Sequence, residues 1–83
     1  MILGAQIRAA RGLVGWSQAQ LAQAAKLSLP TIKRMEGPIG PGRSSSDNVA
    51  AVVRALESAG VVFVDENGYG PGVRLRNKPA PRV

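Results

Sequence analysis

SQAQLAQAAKLSLPTIKRMEG, residues 17–37, reads as two short helices joined by a tight turn. Ser17 is a good N-cap, and the residues Leu21, Ala22 and Ala25 that follow recur at helical spacing. Ser28 is a second N-cap. Pro30 lies in the next first turn, where a missing N–H costs little. Ile32 and Met35 fall three apart on one face, and Gly37-Pro38 stops the helix. The outward residues of this second helix are Leu29, Thr31, Lys33 and Arg34. A short helix with a basic, hydrogen-bonding edge, braced by its other face on a partner helix, suits the major groove of DNA.

The segments on either side supply what such a pair needs to fold. Upstream, residues 2–14 read as a first helix with Leu3, Ile7, Ala10 and Val14 on one apolar face and Arg8 and Arg11 on a neighbouring one. Gly15 caps it. Trp16 is a core or staple residue leading into the second helix. Downstream, PIGPGRSSS at 38–46 is a Gly-, Pro- and Ser-rich loop whose single charge is Arg43. Ser45-Ser46-Asp47 caps a fourth helix over about 46–59, striped by Val49, Val52, Val53, Leu56 and Ala59 and ended by Gly60.

Beyond residue 60 the period changes. Val61, Val62, Phe63 and Val64 are β-branched or aromatic, Asn67-Gly68 is a turn dipeptide, and Val73-Arg74-Leu75-Arg76 alternates strictly. A β-hairpin or two short strands follow, with Val73 and Leu75 on one face and Arg74 and Arg76 on the other. A two-stranded ribbon is barely stable by itself, so it packs on the bundle or pairs with another chain. The division is therefore a helical domain over 1–60, a β segment over 61–76 and a flexible tail over 77–83.

Composition narrows the function. Eighty-three residues make one domain with a core that is marginal alone, which favours dimerisation. There is no Cys and no His, which excludes disulfides, thiol nucleophiles and the usual zinc ligand sets; no metal or cofactor is expected. No apolar run approaches 18 residues, so no membrane span is expected, and no small-molecule ligand is evident. The N-terminal stretch carries arginines inside its apolar part, unlike a signal peptide, and a cytoplasmic location is expected. The formal net charge is +6. Residues 1–35 hold Arg8, Arg11, Lys26, Lys33 and Arg34 and no acid, whereas Glu36, Asp47, Glu57, Asp65 and Glu66 all come later. That polarity favours a polyanion at the N-terminal half. With five acids spread over separate segments, no general acid–base pair suggests itself, and an enzyme is not expected.

The pattern Ser17, Gln18, Leu21, Ala22, Leu27, Ser28, Thr31, Ile32 and Glu36-Gly37, with Arg11 upstream, resembles the helix-turn-helix of the Xre/Cro, or lambda-repressor-like, family of bacterial and phage regulators. The resemblance covers roughly residues 2–59. It departs at Lys26, where the family usually has a turn glycine, a residue better suited to that backbone conformation. The resemblance implies a mainly α fold, a four-helix bundle followed by the C-terminal β-hairpin or strand pair. It implies a structural ion pair between Arg11 and Glu36, a phosphate contact from Gln18, and a loop carrying Arg43 beside the DNA backbone. In Cro-like relatives a C-terminal strand forms the dimer interface, which points to Val61, Val62, Phe63, Val64, Val73 and Leu75; an intramolecular hairpin on the fourth helix is the alternative.

The expected function is a sequence-specific transcriptional regulator that binds an inverted-repeat operator in double-stranded DNA as a homodimer. Helix 28–36 is its recognition helix. Ser17, Gln18 and Thr31 are phosphate candidates, Arg43 is a candidate for a phosphate or narrow minor-groove contact, Ser28 is a further DNA-binding candidate, and Leu29, Pro30, Lys33 and Arg34 are base-reading candidates. The alternative is an antitoxin-like or adaptor module that holds a partner protein through its C-terminal ribbon.

Overall fold

A computed structural model describes residues 2–65 and 68–77. Four helices are followed by a ribbon: α1 (Gly4–Val14), α2 (Gln18–Ala25), α3 (Leu29–Glu36), α4 (Ser46–Ser58), β1 (Val61–Val64) and β2 (Gly72–Leu75). A single-turn 3-10 helix, Gly40–Arg43, lies between α3 and α4. The mainly α architecture with a C-terminal strand pair is the one the sequence implies. No helix among the described residues is long and apolar enough to cross a membrane.

The helix starts follow from side-chain caps. The Oγ atoms of Ser17, Ser28 and Ser45 accept the backbone N–H of Gln20, Thr31 and Asn48, each satisfying a donor that the helix itself leaves free. At α2 the cap is reciprocal, because the Gln20 amide oxygen accepts the Ser17 N–H at 2.8 Å. The first helix begins two residues later than expected. Leu3 is extended, stands at the N-cap and is 47% exposed, so it is not part of the apolar face. Gln6 takes the inward place instead. Its amide oxygen accepts the Leu3 N–H at 2.7 Å and its nitrogen donates to the Gly72 carbonyl at 3.1 Å, tying α1 to β2.

Two helix ends share one device. Gly15 at φ 73° and Lys26 at φ 59° both take the left-handed conformation. The following N–H groups then turn back: Trp16 donates to Arg11 O and Leu27 to Ala22 O. Lys26 is the sole non-glycine residue at positive φ among the described residues. Helix α3 ends otherwise: Gly37 caps it with an extended backbone, φ −79° and ψ −174°.

The core draws on every layer: Ile7 and Ala10 of α1, Leu21 of α2, Ile32 and Met35 of α3, Val52 and Leu56 of α4, and Val61 of β1, none above 1% exposure. Val14, Trp16, Val49, Phe63 and Val73 pack around it, half-buried. Val53, expected in the α4 stripe, is also half-buried rather than central.

β1 and β2 pair antiparallel within the chain, with Val61 opposite Leu75, Val62 opposite Arg74, Phe63 opposite Val73 and Val64 opposite Gly72. Opposed residues share a face, so Val61, Phe63, Val73 and Leu75 form the inner face and Val62, Val64 and Arg74 the outer one. The ribbon packs on α1 as well as on α4. Of the six residues expected at a dimer interface, Val61 is buried in the chain's own core and Phe63 and Val73 pack against that core half-buried. Of the Asn67-Gly68 turn only Gly68 is described, at φ 101°. The tail expected over 77–83 lies outside the described residues apart from Asn77.

Candidate nucleic-acid interface

The site is organised around the last residue of α3. Glu36 is only 4% exposed, and a buried carboxylate is tolerable only when its oxygens are matched by donors. Arg11 of α1 supplies two in fork geometry, Nε to Oε2 at 2.7 Å and Nη2 to Oε1 at 2.8 Å. Its third nitrogen donates to the Trp16 carbonyl at 3.0 Å, joining the α1–α2 connection to the same cluster. The hydrogen bonds to Glu36 hold the Arg11 pKa above its ordinary value, against the opposing pull of desolvation. Gln18, at the start of α2, adds a bond from Nε2 to Glu36 Oε1 at 3.2 Å. No buried side-chain nitrogen or oxygen among the described residues lacks a partner.

Arg8, one turn before Arg11, donates from Nη1 to the Glu36 backbone carbonyl. With no left-handed cap, α3 has its terminal carbonyl satisfied from another helix. Arg8 and Arg11 therefore hold the end of α3 through both its side chain and its backbone, fixing where this helix stands relative to α1. The ion pair inferred from resemblance is present. The role of Arg8 went unread, although its spacing of three from Arg11 places the two on one helical face.

With α3 clamped by its inner side, the opposite side is free. Ile32, Met35 and Glu36 face inward, whereas Pro30, Lys33 and Arg34 are exposed and Leu29 and Thr31 half-buried. Of the predicted base-reading residues, Pro30, Lys33 and Arg34 thus lie on one solvent-facing strip, with Leu29 half-buried beside it. The other predicted DNA contacts are more mixed. Ser28 Oγ is engaged with Thr31, accepting its N–H and lying 2.8 Å from its hydroxyl, so one hydroxyl hydrogen of this pair remains to donate. Ser17 Oγ accepts from Gln20 N and keeps its own hydrogen. Gln18 must turn its NH2 to Glu36, because a carboxylate only accepts; the second amide hydrogen and the backbone N–H at the start of α2 are its remaining donors.

Arg43 is exposed, but it does not ride on an open loop as expected. It ends the 3-10 turn, which is held by Gly40 N to Gly37 O at 3.0 Å, by Ser44 N to Pro41 O at 2.9 Å, and by the burial of Pro41. Lys33, Arg34 and Arg43 border one groove. Ile39, which the sequence reading passed over as a loop residue, stands in that groove at 67% exposure.

Comparison with curated proteins finds no match for the chain. Comparison with protein families does: the model of the helix-turn-helix domain matches residues 2–62, which takes in all four helices and the first residues of β1. This match agrees with the resemblance carried by residues 17–37 and supports DNA as the partner. The chain belongs to the helix-turn-helix domain family.

Proposed function

We propose that the protein is a sequence-specific transcriptional regulator that binds an inverted-repeat operator as a homodimer, with α3 in the major groove. The observation that carries this reading is the two-sided character of α3. Its inner face is locked by Arg8, Arg11 and Gln18, and its outer strip presents Pro30, Lys33 and Arg34 with no acid beside them. Arg34 or Lys33 on guanine O6 and N7 contributes about 1–3 kcal/mol of base discrimination. Leu29 and Pro30 favour contact with a thymine methyl and cannot hydrogen-bond adenine. The free donors of Ser17, Gln18, Thr31 and Arg43 suit phosphates around that helix.

The homodimer draws support from the ribbon. Among the described residues the sheet has two strands, so each keeps one edge without a strand partner. Val62 and Val64 stand half-buried on the outer face. Pairing through the outer edge of β1 keeps Arg74 from meeting its own copy, whereas packing outer face on outer face brings like charges together. Two recognition helices about 34 Å apart would then read half-sites one helical turn apart.

The test is selection of bound duplexes from a random pool at about 0.15 M salt, followed by sequencing. The expected product is an inverted repeat, and Lys33→Ala with Arg34→Ala should abolish its retention. Recovery of no common sequence would sink the regulator reading. A second reading, an adaptor that holds a partner protein, is favoured by Tyr69, 95% exposed where the ribbon turns. Under that reading the double variant still captures the partner.

A further inference from the structure

A groove of about 530 Å³ runs between the C-terminal halves of α2 and α4. Trp16 and five alanines make its apolar lining, and its charged residues are Lys26 and Arg54. No acid lines it; Glu57, the α4 acid nearest to Arg54 in sequence, stays outside. Trp16 is half-buried, whereas Ala24, Lys26 and Arg54 are exposed. The one ion pair among the described residues is Arg11 with Glu36, so neither cation of the groove has a carboxylate partner there. Lys26 brings its charge to this place in a left-handed conformation, φ 59°, that suits glycine better.

Two unpaired like charges beside an apolar groove repel each other and attract carboxylates. Tryptophan and arginine are also the residue types that most often anchor protein interfaces. A second copy of the chain carries the same net charge of +6 and matches a basic groove poorly. Duplex DNA, in the reading above, meets the start of α2 and the outer strip of α3, whereas Ala24 and Lys26 stand at the other end of α2. We propose that the α2–α4 groove docks an acidic segment of another protein. One apolar side chain of that segment rests against Trp16 and the alanines, and its flanking carboxylates meet Lys26 and Arg54. The groove shares no residue with the outer strip of α3 or with the ribbon, so its occupancy leaves both free.

The test selects binders of the full chain from a displayed library of short, tryptophan-free random peptides, then titrates the selected peptides as synthetic ones. Trp16 is the single tryptophan of the chain, so its fluorescence reports occupancy of the groove directly. The expected peptides carry Asp or Glu on either side of a leucine or an aromatic residue, and their addition shifts the Trp16 emission. Lys26→Gln and Arg54→Gln are each expected to weaken binding about three- to fivefold. Ala24→Glu, which sets a like charge against the carboxylates, is expected to weaken it as well. Arg74→Gln on the ribbon is the charge control and leaves it unchanged. All four residues are exposed, so the variants should keep the wild-type helical spectrum. Selected peptides without acidic residues, or with affinities that Lys26→Gln and Arg54→Gln leave unmoved, overturn the proposal. A double variant that lowers the salt slope of duplex binding by about 2 assigns the groove to DNA and overturns it too. So does a double variant that instead shifts the monomer–dimer balance in sedimentation equilibrium, since a second copy is then the occupant. Selection of duplexes, as above, tests the DNA-binding reading separately, and neither failure implies the other.

Discussion

Gly4 and Gly12 lie in the same helix, and the same substitution should act on them with opposite signs. A Cβ at Gly4 would stand 2.7 Å from the Met35 carbonyl oxygen and 3.3 Å from the Glu36 Cα and carbonyl carbon. Those are backbone atoms at the end of α3, which Arg8 and Arg11 hold in place, so they cannot swing aside as a side-chain tip would. Replacing a helical glycine by alanine ordinarily gains about 0.5–1 kcal/mol. Forcing an extra carbon into a closed contact costs about 1–3 kcal/mol. The second effect wins, and Gly4→Ala should lose about 1–2 kcal/mol, which for a domain of this size lowers Tm by roughly 5–10 °C. Gly12 is exposed, has no atom within 4 Å of a built Cβ and does not take a left-handed φ. There only the gain remains, and Gly12→Ala should raise Tm by roughly 3–6 °C. Thermal melting followed by far-ultraviolet circular dichroism reads both. A Gly4→Ala protein as stable as wild type would refute the close seating of α1 on α3, and with it the account of how the recognition helix is placed.

Arg11→Ala leaves Glu36 buried with Gln18 as its remaining side-chain donor. A loss of about 2–3 kcal/mol is expected in urea unfolding, less than for a fully buried pair because Arg11 is one-fifth exposed; a loss under about 0.5 kcal/mol would contradict the clamp. Because the folded-state pKa of Arg11 is raised, its contribution is complete below the ordinary arginine value and is lost only as pH rises beyond it. The difference between wild type and Arg11→Ala should therefore stay level from about pH 7 to pH 10. Lys26→Gly relieves a left-handed conformation that costs about 1–2 kcal/mol, offset by about 0.4–1 kcal/mol of extra unfolded-chain freedom. A net gain of about 0.5 kcal/mol should appear as a higher urea midpoint, and a lower midpoint would show that the lysine side chain has a stabilising contact there.

Much of the fold was legible because its signals are local. Ser17, Ser28 and Ser45 act within three residues of themselves, and the Leu21, Ile32, Met35, Val52 and Leu56 positions follow helical spacing, so caps and inward faces could be read directly. The capping partner Gln20, three residues after Ser17, follows the same local rule. Where local signals are equivocal, contacts between distant parts of the chain decide. Leu3 fits the apolar period of α1, yet the helix begins after it, because Gln6 caps the Leu3 N–H and reaches Gly72, 66 residues away. The 38–46 segment has the composition of a loop, yet Gly40–Arg43 forms a 3-10 turn that buries Pro41 and brings Gly40 against Gly4 at the start of α1.

The sequence by itself determined the helix-turn-helix, its caps, the basic outer strip of α3 and the pairing of Arg11 with Glu36, since each depends on residue types at short spacing or on a motif that carries its own pattern. The tertiary structure alone decided three things. It directs Arg8 to the backbone of Glu36, turns the inner face of the ribbon into the chain's own core, and sets Ile39 and Arg43 in one groove with Lys33 and Arg34. The physical reason is common to all three. A solvent-exposed arginine, a valine strand and a loop isoleucine look the same in sequence whatever they meet, and what they meet is set by contacts between elements far apart in the chain.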